Sequence, residues 1–297
     1  MLTRLPTDIK DKIEEVYRQQ NGLSLAINKL TKVTGGCINQ CGCVETNRGN
    51  FFIKWNEKAH LPGMFEAEAY GLRLMRNTSA ISIPQVIFHD TTDRYAFIVM
   101  EYMQRELRGA RYWTQLGEQL AAMHLHTTDQ FGLDHDNYIG TLPQHNQWVD
   151  DWIDFFDVNR ISPMLKYATD NGYFSSKHIR QWERLRDRLS SIFPSDEKPA
   201  LIHGDLWSGN VIDNNGVPCL VDPATYYGNR EMEIAMTGLF GGFDKQFYEA
   251  YFDAFPVAHG FWEREKVYNL HPLLVHVNLF GQGYVGQVEA VLNKFGS

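Results

Sequence analysis

The spacing of hydrophobic residues changes about one third of the way along the chain. In the first third, apolar positions at helical spacing predict a helix over residues 7–20, capped by Thr7. Short runs of β-branched and aromatic residues, separated by glycine-containing turns, then predict strands. The expected strands cover residues 26–34, 40–46, 51–55, 85–89 and 96–101, and a second helix covers residues 65–76. Together they predict a compact lobe of helix and strand that ends near Tyr102.

Beyond residue 105 the apolar positions recur every three or four residues, which is the period of helices. Two clear series are Trp113, Leu116, Leu120, Met123 and Ile179, Trp182, Leu185, Leu189, Ile192. We expect residues 200–222 to be the one interruption, because short β-like runs flank polar loops there. The pattern therefore predicts an α+β protein with two lobes: a small β-rich N-terminal lobe, residues 1–102, and a larger, mostly helical C-terminal lobe, residues 103–297.

Composition limits the partners to expect. A chain of 297 residues suits two lobes that share a cleft, and a net charge of -8 provides no field that favours nucleic acid or anionic membrane. The first residues lack an apolar signal segment, and no apolar run approaches the roughly 18 residues of a membrane helix. Cys37, Cys41 and Cys43 match neither a disulfide framework nor a common zinc spacing. We expect a cytoplasmic protein with reduced thiols, either a monomer or a homodimer.

The most informative segment is residues 201–210, LIHGDLWSGN, followed by the sequence Val-Asp-Pro at 221–223. Apolar runs lead into Asp205 and Asp222, so each carboxylate is expected where a buried strand opens into a loop. Phosphoryl transfer needs one group that orients the acceptor hydroxyl and oxygen ligands for magnesium on the phosphates. An Asp, an Asn five positions later and a second Asp match these needs. The alternative is that Asp205 and Asn210 are turn residues that close a tight loop. For His203 we favour a structural role, with its ring bonded to loop backbone.

This segment resembles the catalytic loop and metal-binding aspartate shared by protein kinases and aminoglycoside-type phosphotransferases. The resemblance implies that Asp205 accepts the proton of the attacking hydroxyl. It also implies that Asn210 and Asp222 hold Mg²⁺, with ATP as the phosphoryl donor.

A kinase needs phosphate contacts in its small lobe, and Lys54 in the third expected strand is the candidate. A strand lysine taken alone is usually solvated, but the helix that follows changes this interpretation. Glu68 falls within the apolar face of that helix, and a buried carboxylate requires a cation. We therefore pair Glu68 with Lys54, which would direct Lys54 at the α- and β-phosphates. Glu66, about 200° around the helix, is expected at the surface.

Two further segments fit a nucleotide site. Gly35 and Gly36 separate the first two strands, and glycines there let backbone N–H groups approach phosphates, although a plain hairpin turn is the favoured interpretation of the glycines alone. The fifth strand runs into polar sequence, where the Glu101 carbonyl and Met103 amide would contact adenine, with Met100 behind it. An ordinary buried strand end fits these residues equally well. The order of all the signals along the chain favours the kinase.

Longer strings carry a closer resemblance. GGCINQ, MFEAEAYGL, HGDLWSGN, DPATYYGNREMEIAMTGLFGGF and HPLLVHVNLFGQGYVGQV resemble the fructosamine kinase family over nearly the whole chain. The resemblance implies a protein-kinase-like two-lobe fold, similar to aminoglycoside phosphotransferases and choline kinases. It further implies phosphorylation of the 3-hydroxyl of ketosamines, with ribulosamines and erythrulosamines commonly preferred by bacterial members. The 3-phosphate is labile and leaves, which frees the amine and makes the reaction a deglycation step.

The acceptor pocket is expected beside Asp205. Trp207 offers a flat face for a sugar or a cationic amine, and Arg230 is a second candidate contact. Tyr226 and Glu231 are better explained by packing and by charge at a helix N-terminus. Cys37, in the phosphate turn, is a candidate redox-sensitive thiol; the alternative is a small residue in place of serine.

Two other functions stay open at this point. One is a small-molecule kinase of the same fold with an aminoglycoside, choline or amino-alcohol acceptor. The other is a catalytically inactive ATP-binding module with a regulatory role. The presence of Lys54, Asp205, Asn210 and Asp222 argues against the inactive module.

Overall fold

The computed structural model describes residues 4–33, 39–104 and 108–297. The predicted phosphate turn with Gly35 and Gly36, and the candidate redox residue Cys37, lie outside these ranges.

In the described residues the first third of the chain contains α1 (Thr7–Asn21), β1 (Ile27–Lys32), β2 (Gln40–Thr46), β3 (Gly49–Glu57), α2 (Met64–Asn77), β4 (Val86–Thr91) and β5 (Tyr95–Glu101). The strands form one antiparallel sheet in the order β1-β2-β3-β5-β4. The predicted lobe of five strands and two helices is confirmed. The Thr7 cap is wrong, because Pro6 occupies that position.

The two faces of this sheet are set by the alternation of side chains along each strand. Ile53 and Trp55 on β3 pack with Phe97 and Val99 on β5 in a cluster that includes the apolar face of α1. Lys54 lies between Ile53 and Trp55 and therefore points to the opposite face, toward α2. The two-residue period of the strand therefore buries Ile53 and Trp55 on one face and places Lys54 on the face that contacts α2.

The remainder of the chain is mostly helical, as predicted. Its helices are α3 (Tyr112–His124), α4 (Trp152–Phe155), α5 (Ser162–Asp170), α6 (Ser176–Arg186), α7 (Arg230–Leu239), α8 (Lys245–Ala254), α9 (Phe261–Tyr268), α10 (Leu270–Phe280) and α11 (Val285–Phe295), with a π-helical turn at Phe156–Ile161. Its strands are β6 (Asn137–Ile139), β7 (Leu142–Gln144), β8 (Ala200–Ile202), β9 (Val211–Asn214), β10 (Val217–Leu220) and β11 (Tyr226–Gly228). Across the described ranges, no helix is long and apolar enough to cross a membrane.

The expectation of a single interruption at 200–222 is wrong. The hairpin β6–β7 interrupts the helices earlier, and β11 pairs with β8 after residue 222. The hairpin was missed because its strands have three residues each, and because it buries polar Asn137 and Gln144 rather than an apolar run. These two amides hydrogen-bond to backbone, which is how a buried polar side chain is normally satisfied.

Candidate active site

Lys54 lies between two carboxylates. Its Nζ is 2.8 Å from Glu68 Oε1 on α2, and it also bonds to Asp222, which follows β10. The side chains of Lys54 and Glu68 are each 8% exposed, whereas Glu66 is exposed, as expected from its place on the helix. Burial alone would lower the pKa of Lys54, but Asp222 and Glu68 together raise that pKa above its ordinary value. The lysine is therefore a fixed positive charge at this site.

Asp222 occupies an unusual backbone conformation. Its φ is +63°, in the left-handed region that few residues other than glycine, asparagine and aspartate adopt. The carboxylate emerges from the end of the β9–β10 hairpin toward Lys54, and its side chain remains 43% exposed. A strained backbone that aims a partly solvated carboxylate into a cleft is typical of a functional position.

Asn210 links the two aspartates. Its Nδ2 donates to the Asp205 carbonyl at 2.8 Å, to Asp205 Oδ2 at 3.1 Å and to the Asp222 carbonyl at 3.5 Å. Because the amide nitrogen is used in this way, the amide oxygen remains for another ligand. That oxygen and the Asp222 carboxylate are the hard donors that Mg²⁺ prefers. Two side chains supply few oxygen ligands, so a cation held there would need further ligands from phosphate and water. Among the described residues, no group of three or more His, Cys, Asp or Glu could hold a metal ion.

Asp205 is a carboxylate whose pKa is strongly perturbed. Burial, reinforced by the negative charge of Asp222, raises the pKa of Asp205 to about 8, although the Asn210 amide opposes the shift. No lysine or arginine among the described residues forms an ion pair with it. Before any cation binds, this carboxyl can therefore hold or release a proton near neutral pH, which is the range useful for a general base.

His203 connects the two loops that carry the aspartates. Its Nε2 lies 2.9 Å from the Val221 carbonyl, and its Nδ1 accepts from the Asp205 amide at 3.2 Å. The ring is fully buried, and burial lowers its pKa, so it is neutral, with the proton on Nε2. The structural role expected for His203 is confirmed.

Glu233 on α7 supports the catalytic loop from beneath, a contact that no sequence pattern indicates. Its carboxylate accepts from the amides of His203 at 3.0 Å and Gly204 at 2.7 Å. A third contact comes from His124 Nε2 at 3.0 Å, and the other nitrogen of His124 lies 2.8 Å from the Tyr251 hydroxyl. Although burial acts in the opposite direction, these donors hold the pKa of Glu233 below its usual range. A buried carboxylate thus fixes the loop backbone next to Asp205.

The β6–β7 hairpin holds the nucleotide side in a similar manner. Asn137 and Gln144 donate to backbone carbonyls three and two residues after Asp222, at 2.8 and 3.0 Å. Tyr138 donates at 2.9 Å to the carbonyl of Pro62, just before α2. One hairpin therefore fastens both the segment that carries Asp222 and the start of the helix that carries Glu68. No sequence pattern indicates this connection either.

The structure places the expected hinge at the end of β5. Met100 is buried, and Glu101, the last residue of the strand, is exposed. Met103 is buried in a small cluster with Ile212 and Cys219 of the β9–β10 hairpin. The proposed adenine contacts of these three hinge residues stay a prediction.

Trp207 stands in the catalytic loop with 42% of its surface exposed. Its ring lies over Gly209, where an added Cβ would come within 2.2 Å of the indole, so only glycine permits this position. The exposed ring remains free to contact a substrate.

The prediction that Arg230 contacts the acceptor is wrong. It is 3% exposed, pairs with Glu197 at 2.9 and 3.0 Å, and lies 3.6 Å over the ring of Phe255. Because its guanidinium is occupied by these contacts, we remove it from the acceptor site. Tyr226 is fully buried packing, as interpreted from the sequence, and Glu231 forms a buried ion pair with Arg264.

Comparison with known proteins agrees with this site. Residues 9–296 match the family described as fructosamine kinase. The chain belongs to the fructosamine kinase family. It is 38% identical over 285 residues to a probable ketoamine kinase of Synechocystis, covering 95% of both chains. It is 37% identical over 282 residues to the chloroplastic protein-ribulosamine 3-kinase of Arabidopsis thaliana, covering 92% of this chain and 84% of the relative.

Solved structures agree as well. A putative fructosamine-3-kinase from Haemophilus somnus superposes with a TM-score of 0.87 at 29% identity, covering 95% of this chain and 96% of that one. An aminoglycoside phosphotransferase superposes at 0.62 with 18% identity, covering 95% and 98%, which shows the shared fold. The predicted protein-kinase-like fold and the predicted ATP-dependent transfer of phosphoryl to a hydroxyl are confirmed for this fructosamine kinase family member.

Proposed function

We propose that this kinase phosphorylates the 3-hydroxyl of ketosamines, with ATP and Mg²⁺, and prefers ribulose- and erythrulose-derived amines to fructose-derived ones. The observation that carries the proposal is the connected set of Asp205, Asn210 and Asp222, with Lys54 held against Asp222. The names of the relatives, which refer to ketoamines and ribulosamines, support the acceptor class.

In this proposal each group has a role. The Asp205 carboxylate takes the proton of the acceptor hydroxyl while that oxygen bonds to the γ-phosphorus. The bond from the γ-phosphorus to the bridging oxygen then breaks, and ADP leaves. Lys54 contacts the α- and β-phosphates. Asn210 and Asp222 would hold Mg²⁺, which would supply positive charge to neutralise the phosphates.

The acceptor fits the chemistry next to Asp205. A ketosamine carries a secondary amine that is cationic near neutral pH, beside a carbonyl carbon and a chain of hydroxyls. The exposed indole of Trp207 suits the cation or the apolar face of the sugar. The hydroxyl must lie within about 3 Å of Asp205, so sugar length is constrained more tightly than the rest of the molecule.

The proposal also places the enzyme in the cytoplasm, where ATP is supplied.

The test is a comparison of kcat/KM for ribulose-, erythrulose- and fructose-derived lysine with choline and kanamycin. We expect the ribulose and erythrulose derivatives to be the best substrates. A higher kcat/KM for choline or kanamycin would reject the ketosamine acceptor and favour the other small-molecule kinase. Absence of turnover with every acceptor, despite ATP binding, would favour the inactive module.

A further inference from the structure

Four aromatic side chains form a continuous surface on the C-terminal lobe, which we call the aromatic platform. It consists of Phe240 after α7, His276 and Phe280 on α10, and Tyr284 before α11. The ring centroid of His276 lies 4.5 Å from that of Phe240, 5.3 Å from Phe280 and 4.9 Å from Tyr284. Phe240 is 37% exposed and Phe280 is 54% exposed, although both are large apolar side chains. Their position requires an explanation, because exposed aromatic groups that cluster mark binding surfaces more often than scattered ones do.

The platform begins beside the catalytic loop. Gly241 and Gly242 have φ values of +71° and +93°, and a Cβ on Gly242 would lie 2.5 Å from Ser208 Oγ. The loop after α7 therefore packs directly on the residue that follows Trp207. Phe243 anchors this loop from the other side, with its ring 5.6 Å from Trp113. Phe240 therefore lies two residues before Gly242, which contacts the catalytic loop. From Phe240 the surface continues along α10, away from that loop.

His276 gives the platform a polar centre. Its Nδ1 lies 2.8 Å from the Pro272 carbonyl, so Nδ1 carries the proton and donates it to that oxygen. Burial lowers the pKa of the ring, which keeps it neutral. Nε2 is then an acceptor, and no donor among the described residues bonds to it. A neutral imidazole acceptor among aromatic rings suits a cationic N–H group that carries an apolar chain.

A second exposed aromatic cluster provides a comparison. Trp262, at 56% exposure, packs with Tyr248, Phe252 and Phe261 on α8 and α9. None of the described contacts joins this cluster to the catalytic loop. It shares the exposure of the platform but not its location.

We propose that the aromatic platform binds the substituent on the amine nitrogen of the ketosamine, while Trp207 and Asp205 hold the sugar. In glycated lysine this substituent is the methylene chain and the peptide beyond it. The methylenes lie on Phe240 and Phe280, and the ammonium N–H donates to His276 Nε2. The inference rests on the proposed function and adds the subsite that distinguishes large amines from small ones.

The test compares two acceptors with the same sugar: ribulose-derived Nα-acetyl-lysine amide and ribulose-derived methylamine. Phe240→Ala and Phe280→Ala should each raise KM for the lysine derivative about fivefold to twentyfold, with kcat unchanged, as expected when about two methylenes of the lysine chain lose their apolar contact. For the methylamine derivative, which reaches the platform less, kcat/KM should stay within about twofold of the wild type. Phe280→Tyr should retain the wild-type KM. Trp262→Ala is the matched control and should change neither acceptor.

Several outcomes would overturn the inference. Equal losses for both acceptors would show that the two phenylalanines act on the fold or on catalysis rather than on the amine substituent. An unchanged KM for the lysine derivative in both variants would show that the substituent leaves by another route. If Phe280→Ala lowered the melting temperature and Phe240→Ala did not, an unchanged KM for the lysine derivative in Phe240→Ala alone would overturn the inference. If the wild type phosphorylated neither ketosamine but accepted choline or kanamycin, the proposed function would fall first, and the inference with it.

Discussion

Lys54 and Asp205 lie on either side of Asp222, and burial affects the two groups in different ways. Lys54 has two carboxylate partners, so its charge is compensated and remains fixed. Asp205 has the Asn210 amide as its side-chain donor, and it feels the negative charge of Asp222. In the proposed mechanism, the nucleotide side is therefore built around a compensated ion cluster, whereas the acceptor side contains a carboxyl that can exchange a proton. This contrast matches the two tasks of a kinase: phosphates need constant charge, and a hydroxyl needs a base.

The strongest test of the contrast is removal of the base. Asp205→Ala should lower kcat by at least about 100-fold with little change in KM for ATP, because the base acts on the acceptor in the transition state. Steady-state kinetics with saturating acceptor measure this, and Asp187→Ala, at an exposed position, is the control. Near-normal turnover in Asp205→Ala would remove it from the mechanism.

The charge cluster is tested through the metal. Asp222→Asn should weaken ATP binding about tenfold or more in the presence of Mg²⁺ and less in its absence, because the variant loses an anionic oxygen ligand. Calorimetric titration of ATP with and without the cation separates the two contributions. If the two losses were equal, Asp222 would be a partner of Lys54 and not a metal ligand.

The support beneath the acceptor side is expected to matter less than the base itself. Glu233→Gln places an amide N–H₂ where a backbone amide now donates, so it should shift the loop and lower kcat about tenfold while KM for ATP changes little. A melting curve is recorded alongside, because the buried carboxylate also holds His124. A purely structural residue would change the melting temperature and leave kcat per folded enzyme unaltered.

The smallest expected effect is on stability. In the unfolded chain the pKa of the Asp205 carboxyl is about 4, whereas in the folded protein it is about 8. The unfolded state therefore loses this proton first as pH rises, and the free energy of unfolding falls between these two values. Asp205→Asn removes this cost. Without nucleotide or metal, the variant should melt a few degrees above the wild type at pH 9, corresponding to at least about 1 kcal/mol, and near it at pH 4.5. Asp187→Asn is the control, and a lower melting temperature for Asp205→Asn at pH 9 would contradict the argument.

Local periodicity accounts for the parts of the site that the sequence predicted. The strand alternation and the helix face that bring Lys54 to Glu68 are properties of a few neighbouring residues, so the pattern alone could reveal them. The support of Asp205 by Glu233 depends on a contact across 29 residues of sequence. No pattern within α7 shows which buried acid meets a loop amide. Arg230 was wrong for the same reason, since Glu197 lies 33 residues away. The polar β6–β7 hairpin had no apolar period to detect.

The β6–β7 hairpin also affects the free energy of ATP binding. Tyr138 bonds to the start of α2, which carries Glu68, and Asn137 bonds to the segment after Asp222. Glu68 and Asp222 therefore cannot move apart unless contacts with the β6–β7 hairpin break. The arrangement is thus present before ATP arrives, and its ordering entropy is lost once, during folding. In an enzyme that had to assemble these groups in each cycle, the apparent Kd for ATP would equal the intrinsic Kd divided by the assembled fraction, so binding would be weaker. Because the two carboxylates around Lys54 are already assembled in this structure, ATP binding does not have to supply the free energy of ordering them.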